Sequence, residues 1–320
     1  MALYLITGVA GFIGSNLAHE LVGRGEEVRG FDNFATGKRE NLAGLKDKID
    51  FHEIDLLDAA AVADACRGVD FVLHQAAIPS VPKSVADPVA SHNANINGTL
   101  NLLMGASACG VKRVVYAASS SAYGDTPTLP KHEDMLPNPI SPYAVQKLTG
   151  ELYMSSFARV YGMKTVSLRY FNIFGPRQDP SSQYSGVLAR FITQMLAGNT
   201  CTIFGDGEQS RDFTYIENAV NANLLACSAP AEKVNGKTFN VATGTRFSLN
   251  QTFRTLASII GYPGEPQYAE PRAGDVKHSL ADVSRARDAM GYQPSVGFED
   301  GLRRTVTWYK QALAQAGAMR

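Results

Sequence analysis

The chain has 320 residues, enough to bury one large core or two unequal domains. Its 30 basic residues balance 30 acidic ones, so no net charge favours binding to nucleic acid or to an anionic membrane. Four cysteines without a CxxC pair argue against a disulfide framework or a metal site. The chain begins with a strand-like run and no apolar run approaches ~18 residues, so we expect no signal peptide, no membrane span and a cytoplasmic location.

In the first half of the chain, short β-rich runs alternate with longer stretches of helical period. The helical stretches include Ile13–Arg24 and Ile96–Ser107. The runs interpreted as strands are Leu3–Thr7, Val28–Phe31, Phe51–Ile54, Phe71–His74, Val114–Ala118 and Thr165–Arg169. This alternation predicts an α/β fold with a doubly wound parallel sheet of the Rossmann type, covered by helices on both faces.

The pattern changes twice further along the chain. Thr126–Pro142 contains five prolines and no usable period, which predicts a loop. After about Gly175 the elements become shorter and are interrupted by glycine and charged residues. We therefore predict one domain over residues 1–174 and a smaller C-terminal α/β substrate domain over residues 175–320. Segments near 213–245, such as Phe213–Ala226 and Phe239–Val241, are expected to return to the first domain.

Three glycines follow the first strand and open a helix, in the run Gly8-Val-Ala-Gly11-Phe12-Ile13-Gly14. Glycines in this place let the backbone turn tightly and come close to a pyrophosphate, to which the helix N-terminus offers free N–H groups. The GxxGxxG spacing is one residue wider than the usual GxGxxG. An ordinary strand-to-helix turn could use the same residues.

Asp32 strengthens the dinucleotide interpretation. It ends the second strand 18 residues after Gly14, close to the ~20 expected of the acid that bonds an adenosine ribose. A carboxylate there repels a 2′-phosphate, which favours NAD over NADP and makes residues 1–174 an NAD-binding domain. The alternative is an exposed turn acid in Asp32-Asn33. Asp55, after the third strand, either bonds the adenine or caps a helix over Leu56–Ala63.

Tyr143-Ala-Val-Gln-Lys147 is a second chemical signal. Ser141-Pro142 predicts a helix N-cap followed by proline at the first helical position. Tyr143 then lies in the first turn and Lys147 one turn further on the same face. An ammonium near a phenol favours the phenolate, so we expect a pKa for Tyr143 below the usual ~10. Alone, this spacing is common in surface pairs.

Ser119-Ser120-Ser121 closes the fifth strand 22 to 24 residues before Tyr143. Ligands of such sheets bind beyond the carboxyl ends of the strands. A serine hydroxyl there could donate to a substrate oxygen while the tyrosine takes its proton. The alternative is a serine-rich turn.

Together, the glycine run, Asp32, His74-Gln75-Ala76-Ala77, the serine triplet, Tyr143-xxx-Lys147 and Arg169-Tyr-Phe-Asn172 resemble the extended short-chain dehydrogenase/reductase family over nearly the whole chain. Gly205-Asp-Gly207, Gln209–Phe213 and Arg272–Ser279 resemble the substrate half of its sugar-nucleotide epimerases, closest to the bacterial UDP-N-acetylglucosamine 4-epimerases.

The resemblance implies an activity. Tyr143 removes the proton from the sugar 4-hydroxyl while the C4 hydride moves to NAD, and Lys147 bonds the nicotinamide ribose. Ser119 and Ser120 share the hydroxyl contact. The 4-keto sugar then rotates and receives the hydride on its other face, so no net oxidation occurs.

The resemblance also implies the contact residues, with no metal among the ligands. The cofactor-binding residues are Gly8, Gly11, Phe12, Ile13, Gly14, Asp32, Asn33, Asp55, Leu56, Gln75, Ala76, Asn95, Tyr143, Lys147 and Phe171. The substrate-binding residues are Ser121, Asn172, Val187, Thr202, Phe204, Arg211, Arg272, Asp275 and Ser279. Two arginines suit a diphosphate, because guanidinium groups pair with its oxygens. The alternatives are core packing for Phe171 and Ala76, and surface positions for the arginines.

Ser279 carries the expectation about the sugar. In related epimerases this position lies beside the C2 substituent, where a small residue leaves space for an acetamido group. We therefore expect UDP-N-acetylglucosamine and UDP-N-acetylgalactosamine to be accepted ahead of UDP-glucose and UDP-galactose. The alternative is a helix N-cap before Ala281–Met290.

Two helices predict the assembly. Asn97–Ala108 and Tyr143–Val160 carry more apolar residues than one sheet face needs: Leu100, Leu103, Leu148, Leu152 and Phe157. Relatives pair these helices across a two-fold axis, which implies a homodimer. The alternative is that all of these side chains pack inward.

Three other functions stay open. A sugar-nucleotide dehydratase or decarboxylase has the same fold, but dehydratases usually show Thr-Asp-Glu where this chain has the serine triplet. A UDP-glucuronate 4-epimerase needs the same core residues. A non-catalytic NAD-sensing protein is a different class, and the intact Ser-Tyr-Lys set argues against it.

Overall fold

The computed structural model describes residues 1–180, 186–271 and 277–318, with side chains to residue 315. The first part of the chain contains β1 (Leu3–Thr7), α1 (Phe12–Gly23), β2 (Glu27–Asp32), β3 (Asp50–Glu53), α2 (Ala59–Ala65), β4 (Phe71–His74), α3 (Val81–Ala86), α4 (Pro88–His92), α5 (Gly98–Ala108), β5 (Arg113–Ser119), α6 (Pro142–Val160) and β6 (Thr165–Tyr170). A π-helical turn, Asn93–Asn97, leads into α5, and a short 3₁₀ helix, Ser120–Tyr123, follows β5.

The second part contains shorter elements. They are β7 (Ile173–Phe174), α7 (Val187–Leu196), β8 (Thr202–Phe204), β9 (Ser210–Arg211), β10 (Thr214–Tyr215), α8 (Ile216–Ser228), α9 (Ala231–Val234), β11 (Lys237–Val241), β12 (Phe247–Ser248), α10 (Leu249–Ile260), β13 (Gln267–Ala269), α11 (Ser284–Met290) and α12 (Phe298–Ala318). Small two-stranded pairings join β10 to β7, β12 to β9 and β13 to β8.

Within the described residues, seven strands form one parallel sheet in the order β11-β6-β5-β4-β1-β2-β3. The chain moves outward from β1 in both directions, so the topological switch point lies between β1 and β4. Ligands of open parallel sheets bind at that point, beyond the carboxyl ends of the strands. The predicted doubly wound Rossmann-type sheet is confirmed.

Alternating side chains of the strands enter two cores on opposite faces of the sheet. In β1, Leu5 packs with Val62 of α2 and Leu102 of α5, whereas Ile6 packs on the other face with Leu17 of α1. β6 is buried along its whole length, which is typical of an inner parallel strand. Helices therefore cover both faces.

Segments near 213–245 contribute to the sheet and its core: β11 pairs with β6, and Val220 of α8 joins the core that contains Ile6. That core continues into the C-terminal region through Phe191 of α7, Phe253 of α10 and Leu302 of α12. The two predicted domains therefore share buried apolar surface, and the boundary at residue 174 stays a prediction.

Among the described residues, no helix is long and apolar enough to cross a membrane. The cytoplasmic location stays a prediction.

Candidate active site

The glycine loop after β1 forms a closely packed cradle. Gly8 has φ of +68°, and a Cβ on Gly14 would lie 2.2 Å from the Gly8 carbonyl oxygen. A Cβ on Gly8 would lie 2.8 Å from Cα of Ala76. Gly11 caps α1 without a side-chain hydrogen bond, and the first turn, which includes Phe12 and Ile13, has no acidic residue. The loop fits a dinucleotide pyrophosphate, because an uncapped helix N-terminus attracts anions.

Asp32 lies at the end of β2, directly against this loop. Its carboxylate accepts hydrogen bonds from the backbone N–H of Ala10 at 3.0 Å and of Phe34 at 2.8 Å. Burial raises its pKa, and the two N–H groups oppose the rise. A Cβ on Gly37 would lie 2.8 Å from the carboxylate, so the backbone closes over it. The acid predicted to bond the ribose is therefore fixed beside the glycine cradle.

Asn33 and Asp55 meet beyond β2 and β3. The Asn33 side-chain amide donates to the Asp55 carboxylate at 2.8 Å, and the same carboxylate accepts from the N–H of Leu57 at 2.8 Å. The alternative that Asp55 caps a helix is wrong, because α2 begins at Ala59 and Asp58 caps it through the N–H of Ala61. Leu56 is buried.

His74 ties the carboxyl ends of β1 and β4 to α5. Its Nδ1 lies 2.7 Å from the Thr7 hydroxyl and its Nε2 lies 2.9 Å from the Thr99 hydroxyl. The Thr99 hydroxyl donates to the carbonyl of Asn95, so Nε2 donates to Thr99 and Nδ1 accepts from Thr7. Thr7 in turn accepts the N–H of Ala76. Burial lowers the pKa of His74 to about 3, so the ring is neutral at neutral pH.

Three other predicted cofactor residues come from different elements: Gln75 follows β4, Asn95 lies in the π-helical turn before α5, and Phe171 follows β6. The Gln75 amide oxygen accepts from the hydroxyl of Tyr170 at 3.2 Å. Asn95 accepts the N–H of Ile78 at 2.8 Å and donates to the Gln146 side chain at 2.8 Å. Phe171 is buried, so core packing applies to it whether or not it also contacts a cofactor.

Tyr143 and Lys147 occupy the positions that the cap signal predicts. The Ser141 hydroxyl accepts the N–H of Ala144 at 3.2 Å, and α6 begins at Pro142. Tyr143 lies in the first turn, where its backbone N–H donates to the Ser84 hydroxyl at 3.0 Å. The Lys147 ammonium donates to the carbonyl of Ala117 in β5 at 2.8 Å.

Ser119 is the serine that acts on the tyrosine. It ends β5 and lies near enough to Tyr143 to lower the pKa of the phenol. The N–H and hydroxyl of Ser121 both donate to the Ser119 oxygen, at 3.2 and 2.9 Å. Ser120 begins the 3₁₀ helix that follows.

The expected low pKa of Tyr143 is wrong for this structure. Burial raises it to about 12, and the nearby Ser119 side chain only partly opposes the rise. Burial also lowers the pKa of Lys147 to about 8, against the attraction of Glu151. For both groups, the effect of lost solvation on the pKa is larger than the attraction expected between an ammonium and a phenolate one helical turn apart. The Lys147 ammonium is directed to a backbone carbonyl.

One cavity collects five of the seven predicted substrate residues that the structure describes: Asn172, Val187, Thr202, Phe204 and Arg211. Ser121 and Ser279 are not part of its lining. Asn172 has φ of +37° and lies in the connection between β6 and β7. Arg211 is held by its Nη1, which donates to the carbonyls of Ser210 and Lys277 at 3.0 and 3.1 Å. Arg272 and Asp275 lie outside the described residues.

Ser279 is hydrogen-bonded to Asn172, which lines the cavity. Its hydroxyl oxygen accepts from the Asn172 side-chain amide at 3.2 Å and lies 3.5 Å from the N–H of Asp212. The alternative that Ser279 caps a helix is wrong, because α11 begins at Ser284 with Val283 in the cap position.

Sequence reasoning missed the residues that hold these groups in place. Asp212 is fully buried and accepts from Thr243 and from the N–H groups of Gly244 and Ala281. Glu151 of α6 forms a buried ion pair with Arg169 of β6. A usable signal existed only for Glu151, which follows Lys147 by four residues and so lies on the same helix face.

Among the described residues, no group of three or more His, Cys, Asp and Glu side chains is placed to hold a metal ion.

Comparisons with known proteins agree with this geometry. A model of the NAD dependent epimerase/dehydratase family matches residues 4–242. The chain is 38% identical to the UDP-glucose 4-epimerase of Mycolicibacterium smegmatis over 96% of its own length and 98% of that protein.

Two solved structures have nearly the same fold. A UDP-glucose 4-epimerase from Thermotoga maritima with UDP-glucose gives a TM-score of 0.92 at 39% identity. A UDP-N-acetylglucosamine 4-epimerase from Methanobrevibacter ruminantium, in complex with UDP-N-acetylmuramic acid, gives 0.93 at 38% identity. Each match covers 97% of this chain and 99% of the other. The chain is an enzyme that uses NAD, and it belongs to the NAD-dependent epimerase/dehydratase family.

Proposed function

We propose that this protein is a UDP-sugar 4-epimerase that interconverts UDP-N-acetylglucosamine and UDP-N-acetylgalactosamine and also accepts UDP-glucose and UDP-galactose. The observation that carries the proposal is the placement of Ser119 at the end of β5 near Tyr143, with Lys147 one turn along α6. Relatives named as UDP-sugar 4-epimerases support the reaction class.

In this mechanism the glycine loop and Asp32 would hold NAD, which would supply the acceptor for the C4 hydride and the donor for its return to the 4-keto sugar. Ser119 donates to the sugar O4 and holds it against Tyr143. Tyr143 takes the O4 proton when the alcohol is oxidised and gives it back when the ketone is reduced. Because burial raises its pKa to about 12, the phenol holds its proton at neutral pH and is ready for the second step. The Lys147 ammonium favours the phenolate needed in the first.

The diphosphate is assigned to the arginines of the cavity. Arg211 lines the cavity and is anchored through Nη1 to two backbone carbonyls, and a guanidinium group is well suited to pair with phosphate oxygens. Arg190 lines the same cavity and adds positive charge. The predicted contacts from Arg272 and Asp275 complete the proposed set.

The choice of sugar rests on Ser279. Its hydroxyl accepts a hydrogen bond from Asn172, which lines the cavity, and a serine leaves volume that a larger side chain would fill. A larger side chain would exclude a C2 acetamido group by steric clash, whereas an unfilled pocket costs a smaller ligand little. The UDP-N-acetylglucosamine 4-epimerase with this fold supports the assignment.

A coupled assay across UDP-glucose, UDP-N-acetylglucosamine and UDP-glucuronate tests the function. We expect turnover of the first two, with the N-acetylated sugar preferred. Ser279→Tyr should suppress the acetylated substrates and spare UDP-glucose, while Ser279→Ala, which stays small, should keep both. Equal loss of both classes in Ser279→Tyr would remove Ser279 as the selective residue. A preference for UDP-glucuronate would instead indicate that the protein is a UDP-glucuronate 4-epimerase.

We also propose a homodimer that pairs α5 and α6 with their copies. Met104 of α5 and Leu152 of α6 are 52% and 62% exposed, and both are apolar. Leu103 and Phe157, expected on this surface, instead pack in the core. Leu100 and Leu148 are half-buried. Light scattering should give the mass of a dimer at micromolar concentration, and Leu152→Glu should shift it toward a monomer.

A further inference from the structure

A buried ion pair lies one turn beyond Lys147. Arg169 of β6 donates from Nε and Nη2 to the two carboxylate oxygens of Glu151, at 2.9 and 2.7 Å. The two side chains are only 4% and 5% exposed. A buried pair of this kind adds little net stability compared with apolar residues of the same volume, because both charges lose their hydration. Its position beside Lys147 therefore points to a role in the site.

Arg169 is fixed from a second side. Its guanidinium lies over the ring of Tyr123, 4.5 Å from the centroid, and the Tyr123 hydroxyl donates to the Asn240 side chain at 2.7 Å. Asn240 is itself fully buried. The arginine can thus hold Glu151 in one geometry. Burial raises the pKa of Glu151, and the hydrogen bonds and charge of Arg169 oppose that rise and favour the carboxylate.

The surroundings of Lys147 supply no other counter-charge among the described groups that face it. Tyr116 of β5 lies under the ammonium, 4.9 Å from ring centroid to Nζ, and burial raises its pKa well above the usual value. His74 of β4 is neutral, and Tyr143 on α6 holds its proton at neutral pH. Glu151 attracts the ammonium and opposes the effect of burial on its pKa.

We propose that Glu151 is a positioning residue for the reaction: its carboxylate, held in place by Arg169, keeps Lys147 in the charged ammonium form that proton transfer at Tyr143 requires. This inference rests on the proposed roles of Lys147 and Tyr143. Glu151 acts through Lys147 and does not touch the substrate.

The test is a pH titration of Lys147 in the protein without added ligands. Lysine labelled with ¹³C at Cε is followed by NMR, and Lys147→Met assigns the signal. Glu151→Gln keeps the shape and removes the charge. We expect it to lower the pKa of Lys147 by about one unit. The basic limb of the kcat/KM profile then moves to lower pH, and kcat/KM measured at a pH on that limb falls about tenfold. Glu299→Gln, on an exposed i,i+4 pair with Arg303, is the matched control and should change neither.

Glu151→Gln leaves Arg169 buried without its partner, so the double variant Glu151→Gln/Arg169→Met provides a second measurement. We expect its Lys147 pKa to lie between those of the single variant and the wild type. An unchanged Lys147 titration in both variants would overturn the inference, even if activity were lost. Absence of epimerase activity in the wild type would instead overturn the proposed function, because the NMR titration does not depend on turnover.

Discussion

The cofactor end of this site is built on one sheet, whereas the substrate end is assembled from separate short segments. Asp32, Ser119 and the glycine loop all lie at the carboxyl edge of one parallel sheet, at the ends of β2, β5 and β1, so the sheet itself sets their distances. Asn172, Arg211 and Ser279 come from short connections and two-residue strands. At the substrate end, side-chain hydrogen bonds, above all those of Asp212, set the distances between the groups in place of the sheet.

This difference teaches where a substitution should act. At the cofactor end the backbone forms the site, so we expect the most damaging substitution to be one that adds a side-chain atom. At the substrate end, buried polar side chains carry it, and the damaging change is a lost or reversed hydrogen bond. We expect the chemical step itself, at Ser119, Tyr143 and Lys147, to change little when only one of the two ends is altered.

The largest effect is expected at that chemical step. Tyr143→Phe keeps the aromatic ring and removes the oxygen that transfers the proton, so turnover should fall by roughly 10²–10⁴. Binding of NAD and of the nucleotide sugar should change little, which isothermal titration can measure for both ligands. Near-full turnover in this variant would show that another group is the base.

The glycine loop offers a sharper test of the cofactor end within one helix. Gly14→Ala places a Cβ 2.2 Å from the Gly8 carbonyl oxygen, whereas Gly23→Ala, at the end of the same helix, meets nothing within 4 Å. Displacing the loop by about 1 Å should weaken NAD binding about 100-fold. Gly23→Ala should keep the affinity and raise helix stability by up to ~1 kcal/mol. NAD titrations that give both variants the same affinity would contradict a backbone-built cradle.

At the substrate end, the corresponding change is Asp212→Asn. The carboxylate accepts from the N–H groups of Thr243, Gly244 and Ala281, and an amide –NH₂ would face those donors. We expect a loss of about 1–3 kcal/mol in the free energy of unfolding. The KM for the nucleotide sugar should rise, since the backbone of Asp212 contacts Asn172 and Ser279. NAD affinity should stay the same.

Asp206→Asn is the control for that experiment, because Asp206 makes a local contact to the N–H of Glu208 in an exposed turn. If Asp206→Asn raised KM as much as Asp212→Asn does, the Asp212 hydrogen bonds would not be what organises the substrate end.

The same division decides what can be predicted from sequence. Inner parallel strands are apolar runs, so the sequence predicts β1 and β4 at their observed bounds, and Val114–Ala118 differs from β5 by one residue at each end. Glycine and cap positions follow local rules as well, which explains the correct start of α6. Through-space partners do not: Asp212 is followed in sequence by Phe213, yet its carboxylate bonds N–H groups about 30 and 70 residues away.

Burial is the other quantity that the sequence does not provide. The cap signal places Tyr143 and Lys147 correctly on one helix face, but their pKa values depend on how completely the fold removes water from them. The expected direction for Tyr143 is therefore wrong. The ion pair of Glu151 with Arg169 escapes sequence reasoning for the same reason, since an i,i+4 Lys–Glu pair on a helix is usually exposed.

His74 links three elements of the cofactor end while remaining neutral. Burial lowers its pKa from 6.5 to about 3 in the folded protein, so between those values the unfolded chain binds one more proton than the folded chain. Stability is therefore fully present above pH 6.5 and falls as the pH drops toward 3, by about 1.4 kcal/mol per unit from this group. His74→Gln cannot take up that proton. Urea unfolding at about pH 7, 6 and 5 should show a steeper loss for the wild type than for the variant, and parallel losses would mean that other groups set the acid sensitivity of the cofactor end.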